Sequence, residues 1–139
     1  MKKLDTLVED IYKELEKLSN GKALDISEQD AEDFGNAMKD VLLNWSKPYE
    51  ERKEETLRMS NIGKPNRQLW YDFNSKTEPT PIRPATQLVF LYGHILEVVG
   101  LLLARLAGHE VTAEQKEVTV SGVQGHMDCI IDGEVVDIK

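Results

Sequence analysis

The stretch GHMDCIIDGEVVDIK, residues 125–139, decides the fold. Asp132-Gly133 is a preferred two-residue hairpin loop, and it lies between two apolar runs. A turn there makes Ile131 face Glu134, Ile130 face Val135, Asp128 face Asp137 and His126 face Lys139. Side chains alternate between the faces of a strand. His126, Asp128, Asp137 and Lys139 therefore share one face with Ile130 and Val135. The other face carries Met127, Cys129, Ile131, Val136 and Ile138, a set suited to a core, with Glu134 near the exposed turn.

Two aspartates placed directly opposite repel, with Cβ atoms roughly 5 Å apart. A divalent cation between them removes the conflict, because carboxylate oxygens are hard ligands that suit Mg²⁺ or Mn²⁺. The plain alternative is a wet sheet edge where both acids are solvated. Upstream, Glu97 stands among Leu96, Val98, Val99 and Leu101 to Leu103, with Gly93 and Leu101 one turn away on either side. A buried carboxylate with no such neighbour must neutralise, find a distant partner or bind a metal. Lys139 sits two residues after Asp137. Beside a bound cation it would orient a water, and otherwise it makes a salt bridge to Asp137.

Working further outward, "ATQLVFLYGHILEVVGLLLARLAGHE" predicts a helix over about 86–107, apolar nearly all round and so expected at the centre of the fold. His94, Glu97 and Arg105 interrupt it, which argues against a membrane span. After Gly108 the period changes. "EVTVSGV" (117–123), "HMDCII" (126–131) and "EVVDIK" (134–139) read as three strands. Before the long helix, residues 3–18 and 27–45 have helical spacing, the second opened by Ser27 and Asp30. Residues 49–60 read as a short charged helix, and 61–84 as a proline-rich loop in which "RQLWYD" makes one or two helical turns.

A chain of 139 residues is one domain by size. The single cysteine, Cys129, permits no internal disulfide and no Cys/His metal cluster, so a reduced, cytoplasmic setting is expected. Met1-Lys2-Lys3 leads into acidic, amphipathic sequence, and a secretory leader is not expected. The net charge of −8 is uneven. Residues 1–45 hold 6 basic and 11 acidic residues, residues 46–83 hold 8 and 6, and residues 84–139 hold 3 and 8. Only the middle third offers a surface that attracts phosphate. No Gly-rich phosphate loop is present, which weakens a general nucleotide-binding role.

Taken in order, Glu97 in "GHILE", Asp128 in "GHMD", the hairpin, and Asp137-Ile138-Lys139 in "VVDIK" resemble the PD-(D/E)XK nuclease superfamily. The branch of lambda-type exonucleases and RecB-like nucleases is the nearest, with Gly93 to Glu97 matching its Gly-x-x-x-Glu helix ligand. The resemblance covers about 86–139. It implies an α+β class with a restriction-endonuclease-like αβββ core, packed against a helical N-terminal half. Residues 1–85 would form that helical region and its loop, and 86–139 the first part of the nuclease core, as a single unit. It also implies Mg²⁺- or Mn²⁺-dependent hydrolysis of DNA, exonuclease-like, in recombination, repair or replication. Glu97, Asp128, Asp137 and the Ile138 backbone carbonyl would hold metal, and Lys139 would position the attacking water.

"MSNIGKPNRQLWYD" is similar to the Ser…Cys-Pro-x-Arg segment of RecB-like relatives through Ser60, Pro65 and Arg67. Lys64 stands where the cysteine would be, so no iron–sulfur cluster is expected. Arg67, Trp70 and Tyr71 are candidates for gripping a phosphate and stacking a base. Ordinary packing is the alternative for the two aromatics, and a surface salt bridge for Arg67. His94 and His126 are further substrate-binding candidates, though a core role is the simpler reading of His94. In the family the core continues beyond the lysine. The expectation is therefore an N-terminal fragment, or a split half whose remainder a second polypeptide supplies, that cleaves DNA weakly or not at all alone; a homo-oligomer is a separate expectation. The competing expectation is a catalytically inactive module that binds a protein or DNA.

Overall fold

Ser27 shows how directly the sequence sets its helices. Its hydroxyl accepts from the Asp30 backbone N–H at 3.0 Å, and the Asp30 carboxylate accepts the Ser27 N–H at 3.1 Å. This reciprocal cap satisfies two N–H groups that the first turn leaves unpaired. The Ser27 bonds also hold the Asp30 carboxyl below its usual range. The computed structural model describes residues 2–48, 57–74 and 81–138. A 3-10 turn at Leu4–Thr6 leads into α1 (Leu7–Ser19), followed by α2 (Glu28–Trp45), α3 (Asn66–Asn74) and α4 (Pro84–Leu106). The strands are β1 (Val111–Thr112), β2 (Lys116–Val120), β3 (Val123–Met127), β4 (Cys129–Ile131) and β5 (Glu134–Val136). The chain is α+β, with four helices and small antiparallel sheets among the described residues.

β4 and β5 form the expected hairpin, with Ile131 opposite Glu134, Ile130 opposite Val135 and Cys129 opposite Val136. Asp132 and Gly133 take φ of 52° and 86°, as a turn that requires left-handed residues at both central positions demands. β1 adds to the other edge of β4, giving the order β1-β4-β5. β2 and β3 form a separate hairpin.

The structure corrects several expectations. The run 117–123 is not one strand. Ser121 and Gly122 adopt φ of 50° and 80° and turn the chain, so Val123 belongs to the returning strand. The run 126–131 is also broken, because β3 ends at Met127 and β4 begins at Cys129. His126 therefore pairs with Glu117 in the first hairpin rather than lying in the second. Of the charged helix over 49–60, residues 49–56 lie outside the described residues. Its last part is a 3-10 turn, Met59–Asn61, with Arg58 bridged in parallel to Gln124.

The core forms where the C-terminal half of α4 meets β4. Leu101, Ala104, Cys129 and Ile131 are buried, and Leu4, Leu7, Val111, Val136 and Ile138 pack around them. α1 and α2 both lie against α4. The helix is not buried all round as its composition suggests: Leu88, Val89, Phe90, Tyr92 and Leu96 are exposed. By length and composition it is apolar enough to cross a bilayer, with mean hydropathy 1.8, yet its other half supplies the core of this fold.

Candidate metal centre

α4 carries Glu97 past the point where the strands leave the core. Its side chain is only 15% exposed. Burial pushes the Glu97 carboxyl above its ordinary value, a hydrogen bond from Gln115 opposes this, and the charges of Asp128 and Asp137 push it further up. Glu97 thus feels the charge of both Asp128 and Asp137. Gln115 Nε2 donates to Glu97 Oε1, and His94 Nδ1 stands 3.9 Å from the other carboxylate oxygen.

Asp128 occupies the break between β3 and β4. Its backbone carbonyl accepts the Gln115 N–H at 2.8 Å, and its side chain accepts the Ile138 N–H at 2.9 Å. The expected ladder pair Asp128–Asp137 is not formed, because the named strands end at Cys129 and Val136. Asp128 instead turns its carboxylate onto the backbone beyond Asp137, which relieves part of the repulsion that facing aspartates would feel. Asp137 is exposed just past β5. The Ile138 side chain packs toward the core, where a Cβ on Gly100 of α4 would meet it at 3.7 Å. A Cβ on Gly93 would meet nothing within 4 Å, so steric room does not explain that glycine. Lys139 lies outside the described residues.

The other candidates are placed differently. His94 is exposed, which overturns the core reading for it. Its position on α4, one turn before Glu97, accounts for the contact. His126 is exposed on β3, lining a polar cleft of about 530 Å³ with Arg58, Ser60, Glu117 and Gln124. Trp70 and Tyr71 are exposed on α3, edge-to-face at 5.2 Å, rather than packed. The Arg67 guanidinium lies 5.9 Å from the Tyr71 ring, a cation–π contact. No interaction links α3 to Glu97 or Asp128 among the described residues.

Sequence reasoning missed Gln115. It sits in a polar turn, and nothing in its spacing relates it to α4. Its backbone φ of +49° and that of Ala113, +52°, are the unusual features, and only the folded chain displays them.

No protein-family model, no curated protein and no solved structure matches this chain.

The donor chemistry fits Mg²⁺ or Mn²⁺. Carboxylate oxygens are hard donors of that type, and Glu97 is held above its ordinary value first by burial and then by the charges of Asp128 and Asp137. Among the described residues, no three His, Cys, Asp or Glu side chains form a group that could hold a metal ion.

Proposed function

We propose that this protein is a Mg²⁺- or Mn²⁺-dependent deoxyribonuclease of the PD-(D/E)XK type, exonuclease-like, acting in DNA recombination, repair or replication. α4 and the β4–β5 hairpin would be the helix and strands of a restriction-endonuclease-like core. The observation that carries the reading is the hydrogen-bonded link from Glu97 of α4 through the Gln115 side chain and backbone to Asp128, whose carboxylate in turn accepts the Ile138 N–H beside Asp137.

These three carboxylates would hold the ion, with the Ile138 carbonyl assigned as a further ligand by resemblance. Residues holding such an ion would give it the role of a Lewis acid toward the phosphoryl oxygen and of positive charge for the leaving oxyanion. Asp128 contributes order as well as charge, because its bond to the Ile138 N–H ties the end of β5 to the strand break. Lys139, two residues past Asp137, is assigned the attacking water, which it would orient and help to deprotonate. The setting we assign is a reduced cytoplasm, where Cys129 stays a thiol.

The test is thermal melting with Mn²⁺ or Mg²⁺. Saturating metal should raise the Tm by several degrees, since a ligand at a hundred times its Kd stabilises by about 2.7 kcal/mol. Asp128→Ala, Asp137→Ala and Glu97→Gln should each abolish the rise. A flat response in the unaltered chain refutes the proposal. That outcome would favour a second reading, a noncatalytic interaction module, for which the exposed apolar side chains of α2 and α4, including Leu42, Leu43, Leu88, Val89 and Phe90, are the supporting observation.

A further inference from the structure

We infer that the polar cleft between β3 and the 3-10 turn Met59–Asn61 binds a short peptide with free termini, its carboxylate held by Arg58 and its ammonium by Glu117. The inference goes beyond the metal-binding reading and uses none of the metal-site residues.

Strand register puts the charged groups on one face. Glu117 of β2 pairs with His126 of β3, and Arg58 bridges Gln124, two residues before His126. Paired residues share a face, and so do residues two apart along a strand. Arg58, Gln124, His126 and Glu117 therefore point the same way, and with Ser60 they line a cleft of about 530 Å³. The Gln124 N–H donates to the Leu57 carbonyl at 3.2 Å, which fastens this segment to the edge of β3 that β2 leaves free. The turn that follows packs so close that a Cβ on Gly125 would meet Met59 Sδ at 2.6 Å. A glycine admits that approach, and it sets the wall bearing Arg58 and Ser60 firmly against β3.

Arg58 is half-buried, yet its guanidinium makes no ion pair or hydrogen bond among the described residues, and neither does the Glu117 carboxylate. β2 and the Arg58 segment flank β3 on opposite edges, so their backbones stand roughly 10 Å apart, two strand spacings. The two charges therefore stand on either side of the cleft without neutralising each other. A simple anion would meet Arg58 and be repelled by Glu117, and a simple cation would meet the reverse. A zwitterion satisfies both. The guanidinium fork matches a carboxylate, and the Glu117 carboxylate accepts from an ammonium. Between them the Gln124 amide, the Ser60 hydroxyl and the His126 imidazole offer the donors and acceptors that a peptide bond uses. Two residues of extended chain span about 7 Å, a gap that side chains as long as Arg and Glu close from either side. The cleft volume falls within the ~300–1,000 Å³ typical of small-ligand sites. Asn61, in the same turn, is 3% exposed, and its Nδ2 has no hydrogen-bond partner. A buried amide left unpaired calls for a water or a ligand.

The experiment titrates diglycine into the isotope-labelled full chain and follows backbone amide shifts by NMR. Diglycine should shift the amides of Ser60, Glu117, Gln124 and His126 saturably. Diglycine amide lacks the carboxylate, and N-acetyldiglycine lacks the ammonium. Each should bind about tenfold more weakly, the order expected when one charged contact is lost. Arg58→Gln should weaken diglycine by the same factor and leave diglycine amide unchanged. Glu117→Gln should weaken diglycine likewise and leave N-acetyldiglycine unchanged. A merely structural role for either residue would weaken all three peptides together, and that result overturns the inference. So does the absence of saturable shifts with diglycine, equal binding of the three peptides by the unaltered chain, or inorganic phosphate binding as tightly as diglycine. The metal-binding reading stands or falls separately, on the melting experiment above.

Discussion

At the scale of single residues, acids in this chain do more than sequence patterns assign them. Asp132 reads as a turn residue, and its φ bears that out. Its carboxylate also accepts the Glu110 N–H at 3.0 Å and lies 2.6 Å from Nδ1 of His109. An ionised carboxylate only accepts, so the imidazole carries its proton on Nδ1. His109 is 4% exposed, and its other nitrogen lies 3.4 Å from Asp10, whose carboxylate also takes bonds from Lys2 and Thr6. The ring thus bonds the hairpin turn through Nδ1, while Nε2 lies beside the start of α1 without a hydrogen bond. The bond from His109 holds the Asp132 carboxyl below its ordinary value of 3.8. A depressed carboxyl stabilises the fold above the unfolded-state value, and that contribution is lost as the pH falls through the folded-state value. Asp132→Asn, which keeps the turn, should therefore lower the Tm at neutral pH. The gap from the unaltered chain should stay open above 3.8 and close below it, as followed by melting at stepped pH.

At the scale of elements, α4 is two helices in function. Leu101 is 5% exposed and Leu96 is 64% exposed, although the sequence around them is equally apolar. Leu101→Ala should cost about 2–5 kcal/mol, because it removes buried methyl groups and leaves a cavity. Leu96→Ala should stay within about 0.5 kcal/mol, as surface changes do. Urea unfolding of both variants checks the contrast. Composition alone places a helix in a core but does not say which of its turns has a partner. Strands show a similar limit. Val118 and Val120 keep one parity and Val123 has the other, so the alternation slips at Ser121-Gly122, where the chain turns. That slip was the legible sign of the first hairpin. Asp132-Gly133 was easier to read because it separates two clean apolar runs.

At the scale of the whole molecule, the sequence picked out those residues of the candidate site that follow a period and hid those that depend on a loop's path. Glu97 and Asp128 stand out as charges among apolar neighbours, and the hairpin puts Asp137 just past β5, although its expected pairing with Asp128 is not formed. Gln115 reaches them only because a short loop with two left-handed residues lies back along α4. The split of the run 126–131 could not be read either, since β3 leaves its neighbour's sheet without any glycine or proline at Asp128. Cys129, immediately after that split, has 0% exposure, and burial drives its thiol upward, away from the reactive thiolate. It is also the chain's sole sulfhydryl. A maleimide dye should leave the native molecule unmarked and tag it only during the moments when the centre parts. Counting tags against time would then give an internal stopwatch for how often this protein opens, with no added label to disturb it.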